Sequence, residues 1–309
     1  MNTEHCDVLI IGGGPGGISA ASKLALQGKK TTIINDGPLM GYGIEGAFKS
    51  KAGFEIASDY LHLKYRDDVF GQIPAMDYSK LQMGIKRSAS GLTSMLETRL
   101  HRLNVRVVQG KASFVDDHRV AVDEKEFSGD HIIIATGTRP RILPNMSVDG
   151  QRVFTSDEIT NLPSSPKSLM ILGAGVIGCE FACMFKAVGT EVYLVDTKDQ
   201  IMSNEDPDIG EFLTNAFDAM GIHIIPSSRY QNHELQLDGV QTMLSTGEFK
   251  TDMILLAVGR VPSTDNINLE ATGVALDEFN YIQIDANART NVPHIYAVGD
   301  IGNRNVPSD

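Results

Sequence analysis

The sequence predicts an α/β fold in two similar halves, each a parallel sheet with helices plus a small antiparallel β-meander. Two observations carry this. Residues 8–17 read VLIIGGGPGG, an apolar run that stops at glycines before a helical pattern, and residues 169–178 repeat the arrangement as LMILGAGVIG. The spacing downstream also repeats, since Gly12 to Asn35 and Gly173 to Asp196 each span 23 positions. Unrelated accidents do not produce strand, turn, helix and strand twice at one spacing.

Each turn has glycines at G-x-G-x-x-G spacing: Gly12, Gly14 and Gly17, then Gly173, Gly175 and Gly178. The first glycine allows the turn. The second lets backbone approach a pyrophosphate, and the third lets the helix pack closely on the strand. The helix N-terminus then presents unpaired N–H groups and a partial positive charge to the phosphates. Both halves therefore read as Rossmann-like dinucleotide-binding domains.

The elements follow in order. Ile18, Ala21, Leu24 and Ala25 recur at helical spacing, and Gly28 closes that helix. Residues 30–35 (KTTIIN) form the second strand, at whose end Asn35 and Asp36 stand where an acid commonly holds ribose hydroxyls. Residues 41–51 are glycine-rich and then basic. Residues 50–65 and 79–103 are helical, with a loop at 71–77 between them. A strand at 105–108 precedes small antiparallel strands over 111–126 and a buried strand at 131–135. Four prolines (Pro140, Pro144, Pro163 and Pro166) mark a connection between domains. The second half continues with a helix to about residue 188, a strand at 191–195, a helix at 209–220 and a strand at 222–225. A polar meander spans 235–244 and a buried strand 253–258. Short strands at 281–284 and 295–298 end the pattern. These readings divide the chain into residues 1–148, 149–263 and a return segment, 264–309, completing the first domain.

The chain has 309 residues, with 39 acidic against 27 Lys and Arg and a net charge of −12, which argues against nucleic acid and anionic membranes as partners. Its three cysteines, Cys6, Cys179 and Cys183, make no disulfide framework, so a cytoplasmic location is expected. No apolar stretch approaches the roughly 20 residues of a membrane span. Cys179 and Cys183 lie one helical turn apart and read as buried structural thiols. The eight histidines show no ligand spacing, and no metal site is expected.

Five motifs stand in order: GGGPGG (12–17), ATGTRP (135–140), GAGVIG (173–178), AVGRVP (257–262) and YAVGD (296–300). The set resembles the FAD-dependent pyridine nucleotide–disulfide oxidoreductases, the family of dihydrolipoamide dehydrogenase, glutathione reductase and soluble transhydrogenase, over essentially the whole chain. The resemblance implies FAD in the first domain and NAD(P)H in the second. Gly12, Gly14, Pro15, Gly16 and Gly17 would hold the FAD pyrophosphate, and Asn35 or Asp36 its adenosine ribose. Ala112 would lie by the adenine, and Thr136 and Gly137 near the dinucleotide. Gly299 and Asp300 would bind the flavin's ribityl or phosphate portion. Gly173, Gly175, Val176, Ile177 and Gly178 would cradle the NAD pyrophosphate, with Gly259 lining that site. Asp196 would accept hydrogen bonds from the ribose and repel a 2′-phosphate, favouring NADH, while Lys198 leaves NADPH open.

Two departures bear on chemistry. The family carries C-x-x-x-x-C and then a Ser-Lys pair; alignment on Gly46, Ser50 and Lys51 puts Tyr42 and Ala47 at the cysteine positions. The dithiol relay is absent. Lys51 and Glu180 survive, and the resemblance implies that they pair beside the flavin as catalytic groups. The family also continues into a flavin-facing helix and a dimerisation domain, whereas this sequence stops at Asp309 in a polar turn, GNRNVPSD. A longer natural chain is expected, and a homodimer only in that case.

The resulting expectation is a flavoprotein oxidoreductase that takes hydride from NADH, with NADPH less favoured, and passes electrons to an external small-molecule or protein acceptor. The rivals are a soluble pyridine nucleotide transhydrogenase, a dihydrolipoamide dehydrogenase-type enzyme, and a non-catalytic NAD(H) sensor. No lipoamide turnover is expected.

Overall fold

The computed structural model describes residues 3–302; the polar stretch 303–309 lies outside them. In chain order the elements begin β1 (Thr3–Ile11), α1 (Pro15–Leu26), β2 (Thr31–Asn35), α2 (Lys49–Lys64), α3 (Asp67–Phe70) and α4 (Tyr78–Arg102). Next come β3 (Arg106–Gln109), β4 (Ser113–Phe114), β5 (Arg119–Val122), β6 (Lys125–Ile134), β7 (Thr138–Pro140), β8 (Val153–Thr155) and β9 (Ser168–Leu172). Then follow α5 (Val176–Ala187), β10 (Glu191–Val195), α6 (Pro207–Met220), β11 (His223–Ile225), β12 (Tyr230–Gln236), β13 (Gly239–Leu244) and β14 (Gly247–Thr251). The last strands are β15 (Met253–Leu256), β16 (Arg260–Pro262) and β17 (Ile295–Ala297).

Packing divides the chain into two units. Among the described residues, unit 1 comprises 3–44, 90–139 and 260–302, and unit 2 comprises Glu45–Ala89 and Pro140–Gly259. Residues 45–89, which the sequence reading places in the first domain, thus group with the second. The reason is local: α2 lies against α5, and a Cβ on Gly53 would stand 2.6 Å from Met184 Sδ, so the glycine sets the close approach of the two helices.

The sheet of unit 1 runs β3-β2-β1-β6-β5-β4, with β17 also paired to β6. The strands β3, β2, β1, β6 and β17 pair in parallel, with Val8 opposite Thr31 and His131. Parallel strands are covered on both faces, which is why VLII in β1 and HIII in β6 are continuous apolar runs rather than alternating ones. Leu9, Ile10, Ile33, Ile132 and Ile134 have no exposed side chain. One face packs on α1 through Ile18 and Ala21, and the other on Phe114, Phe127, Ile282 and Ile295. Strand β6 is longer than the expected 131–135. Its antiparallel start at Lys125 pairs with β5 and continues through Gly129, where any Cβ would meet the His131 carbonyl and Leu9.

Unit 2 has a five-stranded parallel sheet, β11-β10-β9-β15-β8, and a separate antiparallel meander, β12-β13-β14. Its core lies on the two sheet faces, around Phe181, Phe185 and Leu255 on one side and Met170, Val240 and Ile254 on the other. One expectation differs from the structure. Residues 281–284 make only isolated bridges, because Asp277 Oδ1 accepts from the Phe279 and Tyr281 N–H groups and curls the chain. The glycine-rich stretch is helical: Gly43–Phe48 winds as a π-helix straight into α2, with no proline between Pro38 and Pro74 to stop it.

Candidate functional site

The two glycine loops share one construction. Gly12 N–H donates to the Ile34 carbonyl at 2.8 Å, and Gly173 N–H to the Val195 carbonyl at 2.7 Å. Gly12 and Gly173 sit at φ +106° and +104°, where side chains are rarely found, and a Cβ on either would strike the carbonyl of Ala135 or Ala257. A Cβ on Gly17 or Gly178 would strike the carbonyl of Gly12 or Gly173, so the third glycine lets α1 or α5 seat on its strand. The middle glycines differ: a Cβ on Gly175 would meet nothing within 4 Å, and one on Gly14 only the Ala135 carbonyl at 4.0 Å. Space is left where a ligand would come close.

Helices α1 and α5 begin on Gly14 and Gly175 in extended conformation, with no side-chain cap on either. Pro15 occupies the first turn of α1, where a missing N–H costs nothing. The other first-turn N–H groups are left to a ligand or water, as an anion site requires. Val298 Cγ2 would stand 3.4 Å from a Cβ on Gly16, so the last motif abuts the first loop, leaving Gly299 and Asp300 exposed there.

A cleft of about 610 Å³ opens in unit 1 beyond the carboxyl ends of β1 and β2, where open α/β sheets bind ligands. It is lined by Gly12, Asn35, Asp36, Ala112 and Thr136, which bring together five of the expected cofactor residues. Ser263, Asp265 and Asn266 line it too and were missed. The signal for them was available, since they directly follow the AVGRVP motif. Thr136 Oγ1 donates to the Ser263 carbonyl at 2.9 Å, and Ser263 N–H to the Gly137 carbonyl at 2.9 Å.

The polar residues at the ends of the two second strands behave differently. Asn35 is buried: its Oδ1 accepts from Gly13 N–H at 2.7 Å, and its Nδ2 donates to the Gly37 and Pro38 carbonyls at 2.7 and 3.2 Å. Asp36 is exposed at the cleft. In unit 2, Asp196 Oδ2 accepts from Ala174 N–H at 2.6 Å and Oδ1 from Lys198 N–H at 2.9 Å. Gly259 is exposed in the same unit.

Lys51 and Glu180 meet within unit 2, with Nζ 3.2 and 3.3 Å from the two carboxylate oxygens; the lysine side chain is 62% exposed and the glutamate 19%. Beside them in sequence, the buried Lys49 pairs with Glu45 and donates to Asn161 Oδ1 at 3.1 Å, a network the sequence reading missed. Tyr42 lies in unit 1. Its ring covers the Arg260 guanidinium at 3.5 Å, and Arg260 donates to Thr138 Oγ1 at 2.9 Å and to the Thr138 carbonyl at 2.7 Å.

All three cysteines are free. Burial raises the Cys6 thiol above its ordinary range. Burial, with the charges of Cys183, Asp196 and Glu180, pushes Cys179 up to about 12. Burial and Glu180 push Cys183 up to about 11. Such thiols are poor nucleophiles.

The profile of the pyridine nucleotide-disulphide oxidoreductase family matches residues 6–308. The chain belongs to this family. Members of the pyridine nucleotide-disulphide oxidoreductase family are FAD-containing, NAD(P)-dependent oxidoreductases. Dihydrolipoyl dehydrogenase of Bacillus subtilis is 33% identical over 302 residues, covering 94% of this chain and 66% of the relative. A soluble pyridine nucleotide transhydrogenase of Vibrio cholerae is 33% identical over 313 residues, covering 96% and 66%. Among solved structures, LpdA of Mycobacterium tuberculosis superposes with a TM-score of 0.89 at 26% identity, covering 98% of this chain and 69% of that one. The HOCl-induced flavoprotein disulfide reductase RclA of Escherichia coli gives 0.85 at 26% identity, covering 96% and 66%. The chain thus spans about 66% of the length of the two curated relatives. Among the described residues no helix is long and apolar enough to cross a membrane.

Proposed function

We propose that this chain binds FAD in unit 1 and NAD in unit 2, and acts as an oxidoreductase that moves electrons from NADH to an external acceptor. The observation that carries the second clause is Tyr42. It stands at the first position of the family's cysteine pair, with its ring over Arg260. With Ala47 at the other position, the chain has no dithiol there to receive electrons.

FAD, when bound, supplies the hydride acceptor and the outlet to a second substrate. The residues present suit it. Gly14 leaves room for a pyrophosphate while Gly12 and Gly17 permit the turn and the close seating of α1, and Pro15 and Gly16 start a helix with no side-chain cap on its first turn. Asp36, exposed at the cleft, holds the adenosine ribose, because the amide of Asn35 is already engaged by backbone. Ala112, Thr136 and Gly137 line the dinucleotide, and Gly299 and Asp300 hold its ribityl end. Gly173, Gly175, Val176, Ile177, Gly178 and Gly259 form the NAD cradle, and Asp196 selects NADH over NADPH. The family resemblance gives Lys51, paired with Glu180 within unit 2, the role of the catalytic cation. The three free thiols suit a reducing, cytoplasmic setting.

The test is an anaerobic titration of the FAD-loaded protein with NADH, followed by a panel of acceptors. Bleaching of the flavin, turnover with a quinone or dye, and no reduction of lipoamide are expected. Robust lipoamide reduction, or a reconstituted flavin that NADH does not bleach, overturns the reading. The similarity to a soluble transhydrogenase supports a second reading, in which the acceptor is another nicotinamide. Reduction of an NADP analogue by NADH at a rate above that of the dyes would favour it.

A further inference from the structure

Two turns of unit 1 bring together side chains that no part of the proposed redox chemistry uses. The first, between β4 and β5, carries Asp117 and His118. It is fixed by Asp116, whose Oδ1 accepts from the N–H groups of His118 at 3.0 Å and Arg119 at 2.7 Å. The second precedes β17 and carries His294, whose carbonyl accepts from Ile132 N–H of β6 at 2.9 Å. The imidazoles of His118 and His294 stack, with centroids 3.9 Å apart and planes 1° from parallel. His294 Nε2 lies 2.8 Å from the Asp117 carbonyl oxygen and 3.9 Å from Asp117 Oδ2. One potential ligand atom from each of Asp117, His118 and His294 lies within 4.8 Å of the others. Among the described residues this is the one such group of three.

We propose that Asp117, His118 and His294 form a surface binding site for a divalent transition-metal ion of the imidazole-preferring class, zinc(II) or copper(II). Two imidazoles and one carboxylate suit these ions and leave open positions for water. Metal–ligand bonds of about 2.0–2.2 Å place tetrahedral ligand atoms roughly 3.3–3.6 Å apart, so the cluster must close by at most about 1.5 Å. The motion required is specific. Imidazole lone pairs lie in the ring plane, so two parallel rings cannot both aim at one ion, and one must turn. His118 is the exposed member, whereas His294 is 83% covered and its backbone is pinned to β6. Metal capture through His294 Nε2 therefore unstacks His118 and replaces the hydrogen bond from that nitrogen to the Asp117 carbonyl with a metal bond, the Nε2 proton moving to Nδ1. The sequence hid this site because its ligands come from distant stretches of chain, with no two at a ligand spacing on one element.

The test uses tag-free protein treated with EDTA and dialysed, titrated with zinc(II) in a calorimeter. One equivalent is expected, with affinity falling about tenfold or more in His118→Ala and in His294→Ala. His118 is exposed, so His118→Ala keeps the fold, as circular dichroism of the metal-free variant will verify. Copper(II) bound by the same protein should show electron paramagnetic resonance couplings to two imidazole nitrogens, reduced to one in His118→Ala. A Cys179→Ser/Cys183→Ser variant should bind as the wild type does. Equal zinc affinity in wild type and both histidine variants, binding lost with the cysteines instead, or no measurable binding overturns the proposal.

Discussion

The backbone N–H of Gly13 donates to Asn35 Oδ1 at 2.7 Å, while the other end of that amide donates to the carbonyls of Gly37 and Pro38. At the matching place in unit 2, Ala174 donates to Asp196 Oδ2, and the second carboxylate oxygen accepts from Lys198 N–H. The loop after each strand explains the residue type. After β2 it offers carbonyls and needs a donor; after β10 it offers an N–H and needs an acceptor. We expect Asn35→Asp to press a buried carboxylate against two carbonyls and to destabilise the protein by about 1–3 kcal/mol, seen as a lower Tm and poor FAD retention. Asp36→Ala should leave Tm unchanged and weaken FAD binding alone. Equal Tm loss in both variants would show that the two positions do not divide in this way.

This pair also shows what the sequence could reveal. The 23-residue repeat from glycine loop to strand end located both cradles, because close backbone approach admits glycine and little else. It could not say which way the Asn35 amide turns, since that depends on the backbone direction of residues 37 and 38. The grouping of residues 45–89 with unit 2 was hidden for a similar reason. Their helical period is plain, but their packing on α5 through Gly53 and Met184 is a tertiary fact. The His118–His294 stack was invisible because its members meet only through β6 pairing with β5 and β17.

Lys51 and Glu180 form an ion pair whose lysine is largely exposed, so its contribution to stability is small, about 0–1 kcal/mol. Its proposed importance is to the reaction. We expect Lys51→Met to leave Tm within a degree or two, about what such a loss allows in a chain of this size, while slowing flavin reduction by NADH about tenfold or more. Stopped-flow absorbance of the flavin measures the rate, and calorimetry the Tm. A variant that loses stability but reduces flavin at the wild-type rate would make the pair structural.

Cys179 and Cys183 give a pH dependence with a definite sign. Their thiols are raised from 9.0 to about 12 and about 11 in the folded protein. At pH 8 the thiolate fraction of Cys183 is thus about 100-fold, and that of Cys179 about 1,000-fold, below that of an ordinary thiol. Alkylation by iodoacetamide should be correspondingly slow, and should accelerate in urea. The folded state holds these protons more tightly than the unfolded state. Their stabilisation is therefore complete below about pH 9 and is lost as pH rises towards 11–12. Tm against pH should fall in that window, and less steeply in Cys179→Ala.

Gly17 and Gly178 separate the two cradles. A Cβ at either position would run into the carbonyl of Gly12 or Gly173, and helix and strand must part to admit it. The damage should stay local, because Gly17 seats α1 in unit 1 and Gly178 seats α5 in unit 2. We expect Gly17→Ala to yield colourless protein that still binds NADH, and Gly178→Ala to yield yellow protein whose flavin NADH no longer bleaches but dithionite does. Fluorescence of bound NADH and the flavin absorbance distinguish the two. If Gly178→Ala lost flavin as readily as Gly17→Ala, the assignment of one cofactor to each unit would fail.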